Sequence, residues 1–440
     1  HGVGAMAPEA AGPMSESLVE SAEPGAWAGQ KENLGFWPAV VSLSVSMMGT
    51  GIVAFPFAFA LCGYVGGPAA LCLFGTMAFQ SYSALLRCTA LAREVSYGEL
   101  VARAGSWWQR YTTWALWVLL VMANAAYVII AAHVIRSVAL QDAVGEAPPM
   151  WLSNAVLFAL IVAVIFPLCL TTSLQGLSLV TTYCSFAIFA VTGIIIWRCT
   201  EILLTSPPAP SSGPKAVTEP LPVLLALPIV SCGMFGHMNI GQIYGEMLPG
   251  VKPRANLVAL TACVIVIAFY AAVGFAGYAA FGQDAQSDIV AQLAAHDREG
   301  LLVSVGQTLL TSFIVLKTPL VVFPLRAVTL GLLAPLGGQG PGGPRRRSAS
   351  LKELPRGGNA ALTAGLLACI YLVAVALPAL DTLLEVLGAL AVVPLCFVVP
   401  ARISWAMETP RRSALCIGLG SVGAVVSALS LAEVARGSLS

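Results

Sequence analysis

The chain has 440 residues, of which 58% are hydrophobic and 10% charged, and its mean hydropathy is +0.85. A soluble domain carries about 25% charged residues, so the composition is that of a polytopic membrane protein. A net charge of +1 with no isolated basic domain gives nucleic acid nothing to bind. All 11 cysteines lie in or beside apolar runs rather than paired in polar loops, which points to small core residues and away from a disulfide frame or a metal site.

Residues 1–33 are rich in Ala, Glu, Gly, Pro and Ser without apolar periodicity, and the expectation is a disordered cytoplasmic segment. The first apolar run lies too far in and is too long for a secretory signal. Apolar stretches follow near 34–61, 65–91, 112–138, 151–170, 177–198, 221–247, 256–281, 301–333, 360–378, 382–404 and 413–434, eleven in all. With the N-terminus in the cytoplasm, sixteen Lys and Arg face inward and five outward, with Lys317 inside a span. That bias sets the orientation as N-terminus in, C-terminus out.

Span one, LGFWPAVVSLSVSMMGTGIVAFPFAFAL, exceeds the roughly 20 residues that cross a bilayer, and Gly49-Thr50-Gly51 interrupt it near its middle. Backbone freed at such a break is tolerable only where it lines a protein cavity. A broken helix there aims N–H groups inward at one half and carbonyls at the other, which suits an anion and a cation respectively. The competing reading is that small residues simply let two helices approach closely. The segment SYGELVARAGSWWQR, 96–110, interleaves Leu100, Val101, Trp107 and Trp108 with Arg103 and Arg110, as a helix lying at the inner interface does. The Pro/Ser-rich linker 201–220 then divides the chain, and span six has its own weak centre at Cys232-Gly233-Met234-Phe235-Gly236. Two Gly-interrupted spans, each opening a group of five, are the sequence sign of an inverted-repeat transporter with its site at the repeat interface. A channel would show a polar stripe or a ring of charges instead.

Single residues carry two readings each. His237, beside the second break, is either a hydrogen-bonded packing residue or a proton-sensitive or substrate-binding group. Asn124 and Tyr127 share one face of span three and are either interhelical glue or pocket lining. Glu246 is expected to form an interface contact or gate with Lys252 or Arg254. Lys317 is the most informative charge. An ammonium centred in an apolar span costs about 2.5–3.5 kcal/mol on insertion scales, and Arg326 is better placed to mark the inner end of span eight. A functional Lys317 is therefore favoured over snorkelling. In the loop 334–358, RRRSAS offers Ser348 and Ser350 to a basic-directed kinase, or is a plain positive-inside segment beside anionic lipid.

Several stretches resemble the amino acid/auxin permease family, in the branch of sodium-coupled neutral amino acid transporters and their vacuolar relatives. They are SMMGTGIVAFPFAFALCG in span one, Gly236-His237 followed by Ile243-Tyr244-x-Glu246 in span six, FAGYAAFG at 275–282 with Ser287-Asp288-Ile289 after it, and PLVVFPLR at 319–326. The resemblance runs from about residue 34 to 410 and implies an all-α, LeuT-type 5+5 inverted repeat with eleven transmembrane helices. The first repeat would be 34–198, the second 221–404, and the eleventh helix 413–434. Carried over by position, the resemblance implies that the substrate carboxylate meets N–H groups at Gly49, Thr50 and Gly51. The ammonium would meet carbonyls around Ser46 and from Ser231 through Cys232 to Gly233. Where sodium-coupled relatives carry oxygen ligands, this chain has Val45 in span one, and Lys317 beside Thr318 in span eight. An ammonium in the sodium position implies coupling to protons, or none.

The expected function is secondary active transport of small neutral amino acids by alternating access, with no covalent chemistry and no cofactor. The expected partners are the amino acid, a coupling proton (or Na⁺) and the lipid bilayer, in a plasma membrane or a vacuolar or lysosomal-type membrane. A sodium symporter and a non-transporting amino acid sensor are the alternatives.

Overall fold

The computed structural model describes residues 32–139, 150, 153–170, 178–206, 208, 213–296, 300–333, 355–408 and 410–437. The helices are α1 (Phe36–Met47), α2 (Phe55–Ala92), α3 (Tyr97–Ala102), α4 (Ser106–Ala139), α5 (Asn154–Cys169), α6 (Ser178–Thr205), α7 (Pro220–Cys232) and α8 (Ile240–Glu246). After them come α9 (Ala255–Phe281), α10 (Ile289–His296), α11 (Leu301–Leu333), α12 (Arg356–Ala376), α13 (Leu380–Leu387), α14 (Val399–Met407) and α15 (Pro410–Gly437). In hydrocarbon every backbone polar group must be satisfied within the segment, which leaves the long apolar runs no alternative to helix. Nine helices among the described residues are long and apolar enough to span a membrane, and Phe36–Met47 and Asn154–Cys169 are shorter apolar helices. Large apolar side chains such as Val164, Phe186, Trp197 and Leu372 are more than 60% exposed, the surface of a protein that meets lipid rather than water.

The boundaries depart from the sequence expectation in four places. The second half of span one and span two merge into the single run α2, which turns sharply at Gly63 (φ 84°, ψ 167°), where a Cβ would lie 2.5 Å from the Ala216 carbonyl oxygen. The helix expected over 96–110 divides at Gly105 (φ 117°): its first part is the short α3, with Leu100 and Val101 buried, and its second part is the start of α4. The linker 201–220 is shorter than expected, because α6 continues to Thr205. An unexpected helix, α10, precedes α11, its Asp288 accepting the Ala291 N–H at 3.1 Å and its apolar face (Ile289, Val290, Leu293) buried. The disorder expected over 1–33 and the RRRSAS serines fall on residues outside those described, apart from Glu32 and Asn33. Those two belong to a clip: Asn33 and Leu34 donate to the Glu246 carbonyl at 3.0 and 2.9 Å, and Glu32 pairs with Lys252.

Two groups of helices emerge from the packing. In one, α2 lies against α7, α8 and α9, and α1 against α8 and α9. In the other, α4 packs on α5, α11 and α12, and α5 on α12. The buried Arg326 ties that second group together, donating to Asn359 at 2.8 Å and to Thr363 at 3.4 Å, while Asn359 donates to the Leu170 carbonyl at 3.4 Å. Between α13 and α14 the helix widens into two π-helical stretches, Gly388–Val392 and Pro394–Val398.

Candidate functional site

Both interruptions exist, and they face each other. α1 ends at Met47; Met48 and Gly49 are extended, and a 3-10 turn over Thr50–Ala54 leads into α2. α7 ends at Cys232, and the chain resumes with a 3-10 turn at His237–Asn239 before α8. A Cβ on Gly233 would meet Tyr270 and Phe55 at 2.6 and 2.7 Å, and one on Gly236 would meet the Tyr82 hydroxyl at 2.9 Å and Met47 at 3.1 Å. The glycines are what let each break approach the other.

Freed backbone groups at both breaks are met in the same way. Tyr270 of α9 donates its hydroxyl to the Met47 carbonyl at 3.1 Å. Tyr82 of α2 donates to the Met234 carbonyl at 2.9 Å. Each tyrosine also stacks on the aromatic ring that follows the break, Tyr270 on Phe55 and Tyr82 on His237, both with centroids 4.1 Å apart and planes at 15°. Sequence reasoning passed over both tyrosines, although an aromatic ring with a polar tip inside an apolar span is the signal for such a role.

A cavity of about 280 Å³ lies where the breaks meet. Of the residues singled out in the sequence, Ser46, Gly49, Gly51, Tyr127, Cys232, Gly233 and Lys317 line it. Lys317 is the one charged side chain among the described lining residues; the Nζ atom lies 4.0 Å from where a Gly49 Cβ would be and 4.9 Å from the Phe313 ring centroid. Leu120 and Ala123 of α4, Val321 of α11, and Leu384 and Leu387 of α13 make an apolar wall opposite the breaks. Asn239 and Tyr270 contribute further polar lining.

Ser231, Thr318, Asn124, His237 and Val45 lie outside the lining. Ser231 is fully buried with its hydroxyl on the Pro228 carbonyl at 2.7 Å, and Thr318 turns its hydroxyl to the Ile314 carbonyl at 2.8 Å. Asn124 donates to the Leu120 carbonyl at 2.6 Å and is 1% exposed. His237 is fully buried among Tyr82, Phe235 and Phe397, with neither ring nitrogen hydrogen-bonded. Val45 is half-buried on α1, outside the lining, and Thr50 opens the 3-10 turn. Ser46, in the lining, donates its hydroxyl to the Ser42 carbonyl at 2.9 Å.

Amino acid transporter AVT6E of Arabidopsis thaliana is 28% identical over 391 residues, covering 84% of this chain and 76% of that protein. Vacuolar amino acid transporter 5 of Schizosaccharomyces pombe is 22% identical over 425 residues, 90% of this chain and 93% of that protein. Among solved structures, the Eremococcus coleocola manganese transporter in complex with an aromatic bis-isothiourea substituted compound superposes with a TM-score of 0.55 at 14% identity, covering 93% of this chain and 89% of that one. A mutant of the same transporter gives 0.58, with 93% and 90% coverage. That likeness is one of fold. The family model for transmembrane amino acid transporter proteins matches residues 32–413, and the chain belongs to that family.

Proposed function

We propose that this protein carries small neutral amino acids across a membrane by alternating access, coupled to protons rather than to sodium. The observation that carries the reading is the cavity itself: two mid-span interruptions meet around it, with an ammonium at the wall. Main-chain N–H groups of Gly49, Thr50 and Gly51 at the first break would take the substrate carboxylate. Carbonyls near the ends of α1 and α7 would take the substrate ammonium, and the apolar wall on α4, α11 and α13 would take its side chain.

The reciprocal tyrosines support an eleven-helix, 5+5 inverted repeat, with 34–198 and 221–404 as the two repeats and 413–434 as the added helix. In each, the second helix of one repeat secures the broken first helix of the other. Lys317 at the wall, with the Thr318 hydroxyl turned back on its own helix, supports a site without oxygen ligands for sodium. The positive-inside bias favours a cytoplasmic N-terminus, and the vacuolar relative favours a vacuolar or lysosomal-type membrane.

The test is uptake of labelled amino acids into proteoliposomes containing the purified chain, with sodium replaced by choline and with an acidic or a neutral outside. Accumulation that persists in choline and rises with an inward proton gradient is expected. Strict sodium dependence would remove the proton coupling, and saturable binding without accumulation would make the chain a sensor.

A further inference from the structure

We infer that Lys317 is the counter-ion of the substrate's α-carboxylate, so that the cargo completes an ion pair of which the protein supplies one half. A free carboxylate is then the required mark of a substrate, and a cationic side chain disqualifies one. The inference rests on the transport reading above and deepens it.

Three observations carry it. First, the Lys317 ammonium stands at the cavity wall, within 4.0 Å of the Cβ position of Gly49, at the first break, where Gly49 and Gly51 line the cavity. Second, it is unmatched: among the described residues no carboxylate lies within 4.0 Å of it and the lining holds no acid; beside it are the face of Phe313, which attracts a cation without neutralising it, and the Cys184 thiol of α6. Third, the turn beyond the break faces the cavity, with Gly51 in its lining. Around Gly51 the approach is open, with nothing within 4 Å of its Cβ position. A carboxylate seated against Thr50 and Gly51 is therefore brought within reach of the ammonium, and a charge-assisted pair in a dry site is stronger than bonds to neutral N–H groups alone.

Coupling follows by reciprocity. A carboxylate that binds the protonated amine more tightly than the neutral amine strengthens proton binding by the same factor. Loaded carrier then crosses with the proton on Nζ, and the empty carrier returns without it, the proton having passed to water on the release side. Lys317 is thus both the recognition group and the coupling group, with no second ionisable side chain required in the cavity.

The test compares wild type with Lys317→Met and Lys317→Arg in proteoliposomes, using as probe the common amino acid that wild type accumulates best, with its carboxamide as unlabelled competitor. In wild type the carboxamide should compete at least ~10-fold more weakly than the acid, and K317M should raise the apparent KM by at least ~10-fold while erasing that discrimination. K317R should retain part of the discrimination. Loss of an unpaired ammonium should also leave the ligand-free protein as thermostable as wild type or more so, whereas a structural role for Lys317 would lower its melting temperature. Wild-type accumulation together with unchanged acid-over-amide discrimination in K317M overturns this inference and leaves transport standing. Absence of accumulation for every amino acid overturns the transport reading, and this inference with it.

Discussion

A tyrosine hydroxyl can donate to one carbonyl freed at each interruption. Tyr270 donates to the Met47 carbonyl and Tyr82 to the Met234 carbonyl. Removing the hydroxyl strands a buried carbonyl, at about 1–3 kcal/mol. Tyr270→Phe and Tyr82→Phe should therefore lower the melting temperature measurably while keeping the stacked rings, and Y270F should also weaken substrate binding because Met47 lies on the cavity. A melting temperature equal to wild type for both variants would show that water serves these groups as well as the tyrosines do. His237 occupies the place in the second clasp that Phe55 holds in the first, and its ring nitrogens bond to nothing among the described residues. Phenylalanine at 237 should accordingly preserve stability, and uptake within about twofold, whereas alanine should destabilise by the roughly 3 kcal/mol typical of emptying a buried aromatic site. Uptake by His237→Phe that loses its dependence on outside pH would restore His237 as a proton-sensitive group.

Elements were legible in the sequence where length and hydropathy decide them, and less so where tertiary contacts do. The interruptions were visible because glycine pairs inside an apolar run have few other uses, and the long spans were visible because a bilayer allows them only helix. The eight-residue α10 is too short to register as a span, although its buried positions Ile289, Val290, Leu293 and Ala294 recur at helical spacing. The division of 96–110 turns on one positive-φ glycine, Gly105, in a segment that otherwise reads as continuous. Side-chain direction was the least legible feature: Ser231 and Thr318 look like ligands by position, but a hydroxyl in an apolar helix finds its nearest acceptor one turn back on its own strand of carbonyls. The glycines of the breaks separate into two kinds on the same reasoning. Gly233→Ala would force a methyl to 2.6 Å from Tyr270 and 2.7 Å from Phe55, an overpacking that costs about 1–3 kcal/mol. Gly51→Ala meets nothing within 4 Å. Thermal unfolding should show a loss for G233A and none for G51A, while uptake should fall in both, in the second because the methyl stands where the carboxylate approaches. A G51A protein with wild-type KM would move the substrate away from this turn.

At the scale of the molecule, the cavity lies between two bodies. α1, α2, α7, α8 and α9 carry the breaks, and α4, α5, α11 and α12, cross-braced through Arg326, carry Lys317 and much of the apolar wall. A substrate whose carboxylate touches Gly51 on one body and Lys317 on the other binds best when the two are at one separation, and a ligand shifts an equilibrium only through such differential contact. Movement on binding should therefore occur between the bodies and not within either. Spin labels at Val264 of α9 and Leu372 of α12, both more than 50% exposed, report the distance between them; labels at Val264 and at Leu73 of α2 report a distance inside one body. Of the 11 free cysteines Cys72 is exposed and Cys369 half-buried and away from the cavity, so replacing those two, with Cys232 of the cavity lining left in place, gives a background in which the introduced labels dominate. Saturating substrate should narrow or shift the Val264–Leu372 distribution and leave Val264–Leu73 unchanged. Lys317→Met should abolish the shift even at concentrations that restore occupancy, because the second body then has lost its charged contact with the cargo. Equal shifts in both pairs would mean that the helices deform together, and the two-body mechanism would fail.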